Sequence, residues 1–354
     1  METYIVSALK YRPQTFQEVV GQKAITQTLE NAIEKNQLAQ ALLFCGPRGV
    51  GKTSCARILA KKINSQEKNN SNEDFAFNIF ELDAASNNSV DDIRNLNEQV
   101  RIPPQVGTHK IYIIDEVHML SIGAFNAFLK TLEEPPKHVI FILATTEKQK
   151  IIPTILSRCQ TYDFKRISVK DCKAHMLTIA KDQKIEFEEE ALDLIAQKAD
   201  GALRDALTIY DRMVSFTNRN LTVKSVSENL NVLDHDTFFS VTELVLNHNI
   251  PSLLLAFDEL LQKGFDELQF ITGLGNHFRN LMVSKENRTI HLLEVSASSK
   301  EKFKEQTAKA ALPLLLNAID LASKCELDYR NAKNKRLLIE LCLMQIASLH
   351  FGEK

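Results

Sequence analysis

The sequence predicts a parallel α/β domain followed by helical domains, and three observations carry that prediction. Short apolar runs alternate with helix patterns of roughly 10–15 residues through the first half. One run, Val139–Ala144, is apolar at every position, as a strand buried on both faces should be. Beyond about Arg166 the strand patterns stop and amphipathic helix patterns continue to the end. A chain of 354 residues has room for two or three domains at ~100–200 residues each.

The elements follow in order. Ala41–Cys45 is an apolar strand running into a glycine loop, and a helix spans about Gly51–Ile63. Asn64–Asp74, rich in Asn, Ser and Glu, is a surface loop. Asn78–Asp83 is the second strand. Asn87, Asn88 and Ser89 supply N-cap chemistry for a helix reaching Val100, closed by Pro103 and Pro104. Lys110–Ile114 is the third strand, and Gly123–Glu134 a helix that Pro135 and Pro136 terminate. Val139–Ala144 and Gln160–Phe164 complete a sheet joined by right-handed crossovers. Helices are expected over Val169–Lys181, Glu189–Asp200 and Arg204–Phe216. In the last helix Leu338, Leu341, Cys342, Ile346 and Leu349 share one face by spacing. Boundaries are placed near 166 and 230, giving an α/β domain (1–166), a small helical domain (167–230) and a larger helical domain (231–354).

Composition narrows the function. The chain is 44% hydrophobic and 25% charged, with 43 basic against 45 acidic residues and a net charge of −2. This excludes wholesale disorder and nucleic-acid binding through bulk positive charge. Any such contact comes from a local patch or is shared among several chains. No apolar run approaches the ~18 residues of a membrane span, and Met1–Tyr11 lacks a signal-peptide pattern. The six cysteines form no Cys-x-x-Cys pair and read as buried thiols in a reducing, cytosolic compartment. The nine histidines form no ligand-like cluster with them.

Gly46-Pro47-Arg48-Gly49-Val50-Gly51-Lys52-Thr53 fits the phosphate-binding pattern G-x-x-x-x-G-K-[ST], with Ser54 following. Glycines let successive N–H groups turn inward, and the helix N-terminus adds positive potential. Lys52 would reach the terminal phosphates of ATP, and the Thr53 hydroxyl would coordinate Mg²⁺. The strand before the loop and the helix after it supply the required context. Ile111–Ile114 leads into Asp115 and Glu116. Asp115 is assigned to Mg²⁺ and Glu116 to the attacking water. His118 is given no catalytic role. Arg158, in Leu156-Ser157-Arg158-Cys159, and Arg204, in Gly201-Ala202-Leu203-Arg204-Asp205-Ala206, stand out by position, although pattern alone favours surface arginines.

Taken together, Tyr11-Arg12-Pro13, Val19-Val20-Gly21-Gln22, the Gly46–Thr53 loop, Asp83-Ala84-Ala85-Ser86, Asp115-Glu116-Val117-His118-Met119-Leu120, Leu132-Glu133-Glu134-Pro135-Pro136, Ala144-Thr145-Thr146 and Ser157-Arg158-Cys159 form an ordered series. The series strongly resembles the gamma/tau family of bacterial DNA polymerase III, the AAA+ ATPases of the sliding-clamp loader. It covers about residues 4–210; the last third resembles the family only in being helical. The resemblance implies that Arg158 is an arginine finger directed into a neighbouring subunit's ATP site. Arg204 would be the lid's sensor on the chain's own γ-phosphate. Thr146 becomes the first choice for the sensor at the fourth strand, with Thr145 the alternative. Tyr11, Arg12, Pro13, Val19 and Val20 match the segment that cups adenine, and the final helical domain matches the collar of a five-subunit ring.

Two departures from the family matter. Many members carry a four-cysteine zinc module after the loop helix, whereas Lys61–Asn78 here contains no cysteine, so no zinc is expected. The tau form extends well past the collar, so a chain ending at Lys354 is expected to be a gamma-like form or one whose extension was removed. The resemblance implies a cytoplasmic, hetero-oligomeric ATPase that opens the ring-shaped clamp and loads it on primer–template DNA, without a polymerase site of its own. Arg94 and Arg101 are candidates for DNA contact, with a solvated helix face as the equal alternative. Another AAA+ DNA motor, such as a branch-migration helicase, and a non-catalytic loader scaffold are the other readings. The intact Lys52, Thr53, Asp115 and Glu116 speak against the scaffold.

Overall fold

The computed structural model describes residues 5–65, 78–230, 235–293, 295 and 297–349. Contacts divide the chain into two compact units. One runs to Ile179 and includes Ala199–Asp211; the other comprises Ala180–Lys198 and the chain from Arg212 onward. Most of the polar loop expected at Asn64–Asp74, and with it the segment bearing on zinc, lies outside the described residues.

In chain order the first unit holds α1 (Ser7–Lys10), α2 (Lys23–Glu34), β1 (Ala41–Cys45), α3 (Lys52–Ser65), β2 (Ile79–Asp83), α4 (Val90–Val100), β3 (Lys110–Asp115), α5 (Ile122–Glu133), β4 (Val139–Thr145), α6 (Pro153–Leu156) and β5 (Gln160–Asp163). The five strands are all parallel, in the order β2-β3-β4-β1-β5. Every residue of β1 and β4 is buried, as the unbroken apolar run of β4 predicts. Period-two alternation sorts their side chains. Leu43, Tyr112, Ile114, Phe141 and Leu143 pack with Ile93, Leu96, Phe125 and Phe128 of α4 and α5. Leu42, Phe44, Ile111, Ile113 and Ile142 pack with Leu29, Ile33, Cys55 and Leu59 of α2 and α3.

Register aligns the carboxyl ends of the strands. Cys45 pairs with Thr145 and with Asp163, and Asp83 pairs with Asp115. In parallel sheets that edge is where ligands bind. The N-termini of α4 and α5 are locally encoded. Ser89 accepts a hydrogen bond from Asp92 N–H at 3.2 Å and its own N–H donates to the Asp92 carboxylate at 3.1 Å, a complete capping box. Ser121 caps α5 through Ala124 N–H.

The chain continues through α7 (Val169–Asp182), β6 (Glu186–Phe187), α8 (Glu189–Lys198), α9 (Leu203–Phe216), β7 (Asn220–Leu221) and α10 (Val223–Leu230). Strand signals were expected to end at Arg166, but β6 and β7 form a parallel pair. Two residues are too few to show a period of two. Among the described residues six α-helices follow: α11 (His235–Leu246), α12 (Ile250–Gln262), α13 (Glu267–Ser284), α14 (Ala297–Lys309), α15 (Leu312–Tyr329) and α16 (Lys335–Ala347). They share a core in which Phe270, Leu274 and Phe278 of α13 pack with Leu315, Ala318 and Ala322 of α15. The expected face of α16 is partly corrected. Leu341 is exposed, and Ile339, Cys342, Leu343, Ile346 and Ala347 point inward. That set follows the spacing of i, i+3, i+4, i+7 and i+8, so the stripe is wider and rotated from the one inferred.

All six cysteines are free and buried. Among the described residues no helix is long and apolar enough to cross a membrane, and no cluster of His, Cys, Asp and Glu could hold a metal ion.

Candidate functional site

The loop after β1 is built by constraints on its glycines. Gly46 has φ +148°, and a Cβ there would collide with the Phe164 carbonyl oxygen. Its N–H donates to Thr145 O at 3.2 Å, which ties the loop to the end of β4. Gly49, at φ +75°, lies where a Cβ would come 3.1 Å from the Ala202 Cβ, and its carbonyl accepts from Arg204 N–H at 3.4 Å. Lys52 opens α3, and its side chain folds back into the loop. The ammonium donates to the Gly46 and Pro47 carbonyls at 2.7 and 2.8 Å, and the residue is only 6% exposed. Burial pulls the Lys52 pKa down, opposed by Glu116 and Asp115.

The end of β3 supplies the carboxylates. One Asp115 oxygen accepts from the Thr53 hydroxyl at 2.9 Å, and the other accepts from Glu116 N–H at 3.0 Å. The chain then turns sharply, with Glu116 left-handed at φ 47°, ψ 44°. Its carboxylate accepts from Thr146 N–H at 3.1 Å and from the Thr146 hydroxyl at 2.8 Å. Thr145, the last residue of β4, is fully buried and directs its hydroxyl at His118 instead. Of the two threonines, only Thr146 meets Glu116 through its side chain.

Lys52, Thr53, Asp115 and Glu116 open onto a cavity of about 780 Å³, whereas Thr146 stands behind Glu116 and is not in its lining. Tyr11, Arg12, Pro13, Val19, Val20, Arg48, Gly49, Val50, Gly51, Lys52, Thr53, Ser54, Asp115, Glu116 and Arg204 all line it. Gly46 and Pro47 are not in its lining; their carbonyls hold the Lys52 ammonium. Arg12 sits close enough to Arg204 to feel its charge. Burial, then Arg57, then Arg204 lower the Arg12 pKa. Arg57 itself is neutralised by Glu81 through two hydrogen bonds at 2.6 and 2.5 Å. A buried ammonium, two crowded guanidiniums and a helix N-terminus suit a polyanion such as a triphosphate. A hydroxyl and a carboxylate oxygen at hydrogen-bond distance are hard oxygen donors suited to Mg²⁺.

Arg158 is not brought into this cavity. It pairs with Glu133, Nε to Oε1 being 2.9 Å, and donates to Thr154 O at 2.7 Å. Arg94 is exposed and pairs with Asp91 at 3.0 Å, and Arg101 follows α4 on the surface. Sequence reasoning missed the other wall of the cavity. Ile167, His175, Leu207 and Asp211 line it, and Asp211 accepts from Ser7 N–H at 2.6 Å, fastening α1 beside the opening. Helix periodicity marks His175, Leu207 and Asp211 only as parts of α7 and α9, and Ile167 lies in the link before α7, so nothing local singles them out.

Comparisons with known proteins agree with the geometry. Residues 21–168 match the profile for the DNA polymerase III delta subunit, and 171–219 match the ATPase lid domain of the DNA polymerase III clamp loader subunit. Residues 221–351 match domain III of DNA polymerase III subunits gamma and tau. The DNA polymerase III subunit tau of Bacillus subtilis is 38% identical over 349 residues, covering 95% of this chain and 62% of that protein. The subunit gamma of Buchnera aphidicola is 38% identical over 292 residues, covering 79% of this chain and 76% of that protein. The chain belongs to the DNA polymerase III gamma/tau family. This gamma/tau chain therefore spans under two thirds of the Bacillus tau protein's length. Its fold is AAA+. The RuvB Holliday junction branch migration motor of Thermotoga maritima superposes with a TM-score of 0.50 at 20% identity, over 70% of this chain and 85% of that one. At that identity the likeness speaks to fold alone.

Proposed function

We propose that the chain is the ATPase subunit of the bacterial replicative clamp loader. It binds and hydrolyses ATP to drive opening of the ring-shaped sliding clamp and its loading on primed DNA. The observation that carries this is the convergence of Lys52, the Thr53–Asp115 pair and Glu116 with Thr146 at one sheet edge of a gamma/tau family member.

Roles follow from chemistry. Lys52 and the N–H groups of Arg48–Ser54 bind the phosphates, and Arg204 adds a second cation from α9. Thr53 and Asp115 hold Mg²⁺, which neutralises charge across the phosphates when bound. Glu116 orients the attacking water and accepts its proton, while Thr146 fixes that carboxylate. Tyr11, Arg12, Pro13, Val19 and Val20 cup the adenine. Arg158 acts on the ATP of a neighbouring subunit; on its own chain it is held outside the cavity by Glu133. The surroundings proposed are a cytoplasmic hetero-oligomeric ring of five subunits, with clamp and primer–template DNA as partners. The domains divide at 166 and 230. No zinc and no polymerase site belong to this chain.

The test is ATP hydrolysis by the chain alone, then with partner subunits, clamp and primed DNA added in turn. Turnover should be slow alone and rise with each addition, and Lys52→Ala should abolish it. Full DNA-stimulated turnover in that variant, or DNA unwinding with no need for a clamp, would overturn the proposal.

A further inference from the structure

We propose that His118 is a positioning residue for hydrolysis, holding the Glu116 carboxylate in one rotation; this rests on the reading of Glu116 as the base. The left-handed turn at Glu116 leads into a short 3-10 turn, Val117–Met119, that brings His118 back alongside it. The imidazole is 6% exposed. Its Nδ1 lies 3.1 Å from the Thr145 hydroxyl and 3.3 Å from Glu116 Oε2, and its Nε2 lies 3.4 Å from Glu147 Oε1. A packing histidine would meet mostly carbon; this one has an oxygen facing each nitrogen.

Three groups meet on one oxygen of the base. Glu116 Oε2 accepts from Thr146 N–H and the Thr146 hydroxyl, and His118 Nδ1 lies 3.3 Å from the same oxygen. The ring cannot drift, because its far neighbour is itself anchored. Glu147 pairs with Lys150 at 2.8 Å and donates its N–H to Thr145 Oγ1 at 3.0 Å. Thr145 thus braces the ring, while Thr146 braces the carboxylate. Two adjacent threonines at the end of β4 have separate tasks. Without the ring, Thr146 alone holds Oε2, water enters the vacated space, and the carboxylate can rotate. His118 does not line the cavity, so its loss leaves nucleotide binding intact.

The experiment measures ATP turnover and equilibrium nucleotide binding in the full chain assembled with loader partners, clamp and primed DNA. The variants are His118→Ala, His118→Asn, Glu116→Gln and the double variant His118→Ala with Glu116→Gln. Misplacing a reacting group by about 1 Å can cost ~10²-fold, so His118→Ala should lower kcat by up to ~10²-fold with unchanged nucleotide affinity. His118→Asn, whose amide can still donate toward Glu116, should recover much of that loss. The double variant should be no slower than Glu116→Gln, since the ring acts only through that carboxylate. Wild-type kcat in His118→Ala beside a slow Glu116→Gln would overturn this inference alone. Wild-type turnover in Glu116→Gln would overturn the reading of Glu116 and this inference with it. Parallel loss of kcat and affinity in His118→Ala, with no recovery in His118→Asn, would reduce the ring to a structural part and also overturn it.

Discussion

Gly46 shows how narrow the tolerance of the loop is. Its positive φ disfavours any side chain, and the Phe164 carbonyl fills the position a Cβ would take. Gly46→Ala should therefore push the loop off Phe164 and away from Thr145. The expected result is a lower thermal midpoint together with loss of nucleotide binding, read by calorimetry and titration on the same sample. Such residues are legible in the sequence because the loop chemistry is contiguous: eight positions state both geometry and charge. Asp115 and Glu116 are legible for a related reason, as carboxylates ending an apolar strand. The Ser7–Asp211 clasp is not, because its partners lie 204 positions apart and each alone is an ordinary polar residue. His118 is visible as a letter, but two of the three oxygens around it, from Thr145 and Glu147, come from β4 and the loop after it.

Strands and helices were legible where periodicity had room to act. β1 and β4 are read correctly because burial on both faces leaves no polar position in them before Thr145, the last residue of β4. β6 and β7 escape because each has two residues, and the face of α16 shifts because leucines occupy both its inner and outer sides. Helix α13 carries a further property that sequence does not announce. His277 lies among Phe238, Phe239 and Phe303, with Nε2 3.0 Å from Gln306 and His235 nearby. Burial chiefly, and His235 in smaller part, lower its pKa from 6.5 to about 4, against the hydrogen bond that the ring donates to Gln306 Oε1. Between those values the unfolded chain binds a proton that the folded chain refuses. Stability is thus fully present above pH 6.5, falls as pH drops toward 4, and then levels off. Acidification from pH 7 to 5 should cost on the order of 2 kcal/mol at this group. Denaturant unfolding at both pH values should show a smaller difference in His277→Gln.

The near-neutral charge of −2 suits a chain that contributes a few contacts to a ring rather than wrapping nucleic acid by itself. On that proposal, catalysis is divided between copies. Each chain supplies the loop and carboxylates for one ATP and Arg158 for another. Releasing Arg158 from Glu133 is cheap, since a partly exposed ion pair is worth roughly 0–1 kcal/mol. An arginine finger contributes ~10³–10⁵ in rate. Arg158→Ala should accordingly keep nucleotide affinity and lose stimulated hydrolysis in the assembled ring, while the isolated chain's slow turnover stays as it was. Equal stimulated rates in mutant and wild type would remove the residue from this role.

The left-handed backbone of Glu116 has a consequence for engineering. An ordinary residue held there sits in a conformation that costs on the order of 1 kcal/mol, and glycine would not bear that cost. Glu116→Gly is expected to melt no lower than wild type while losing turnover; a clear drop in melting temperature would show that the turn is relaxed. Selection for robustness and selection for turnover would then pull this one position in opposite directions. A thermostabilised version found by screening on folding alone would tend to be a slow enzyme.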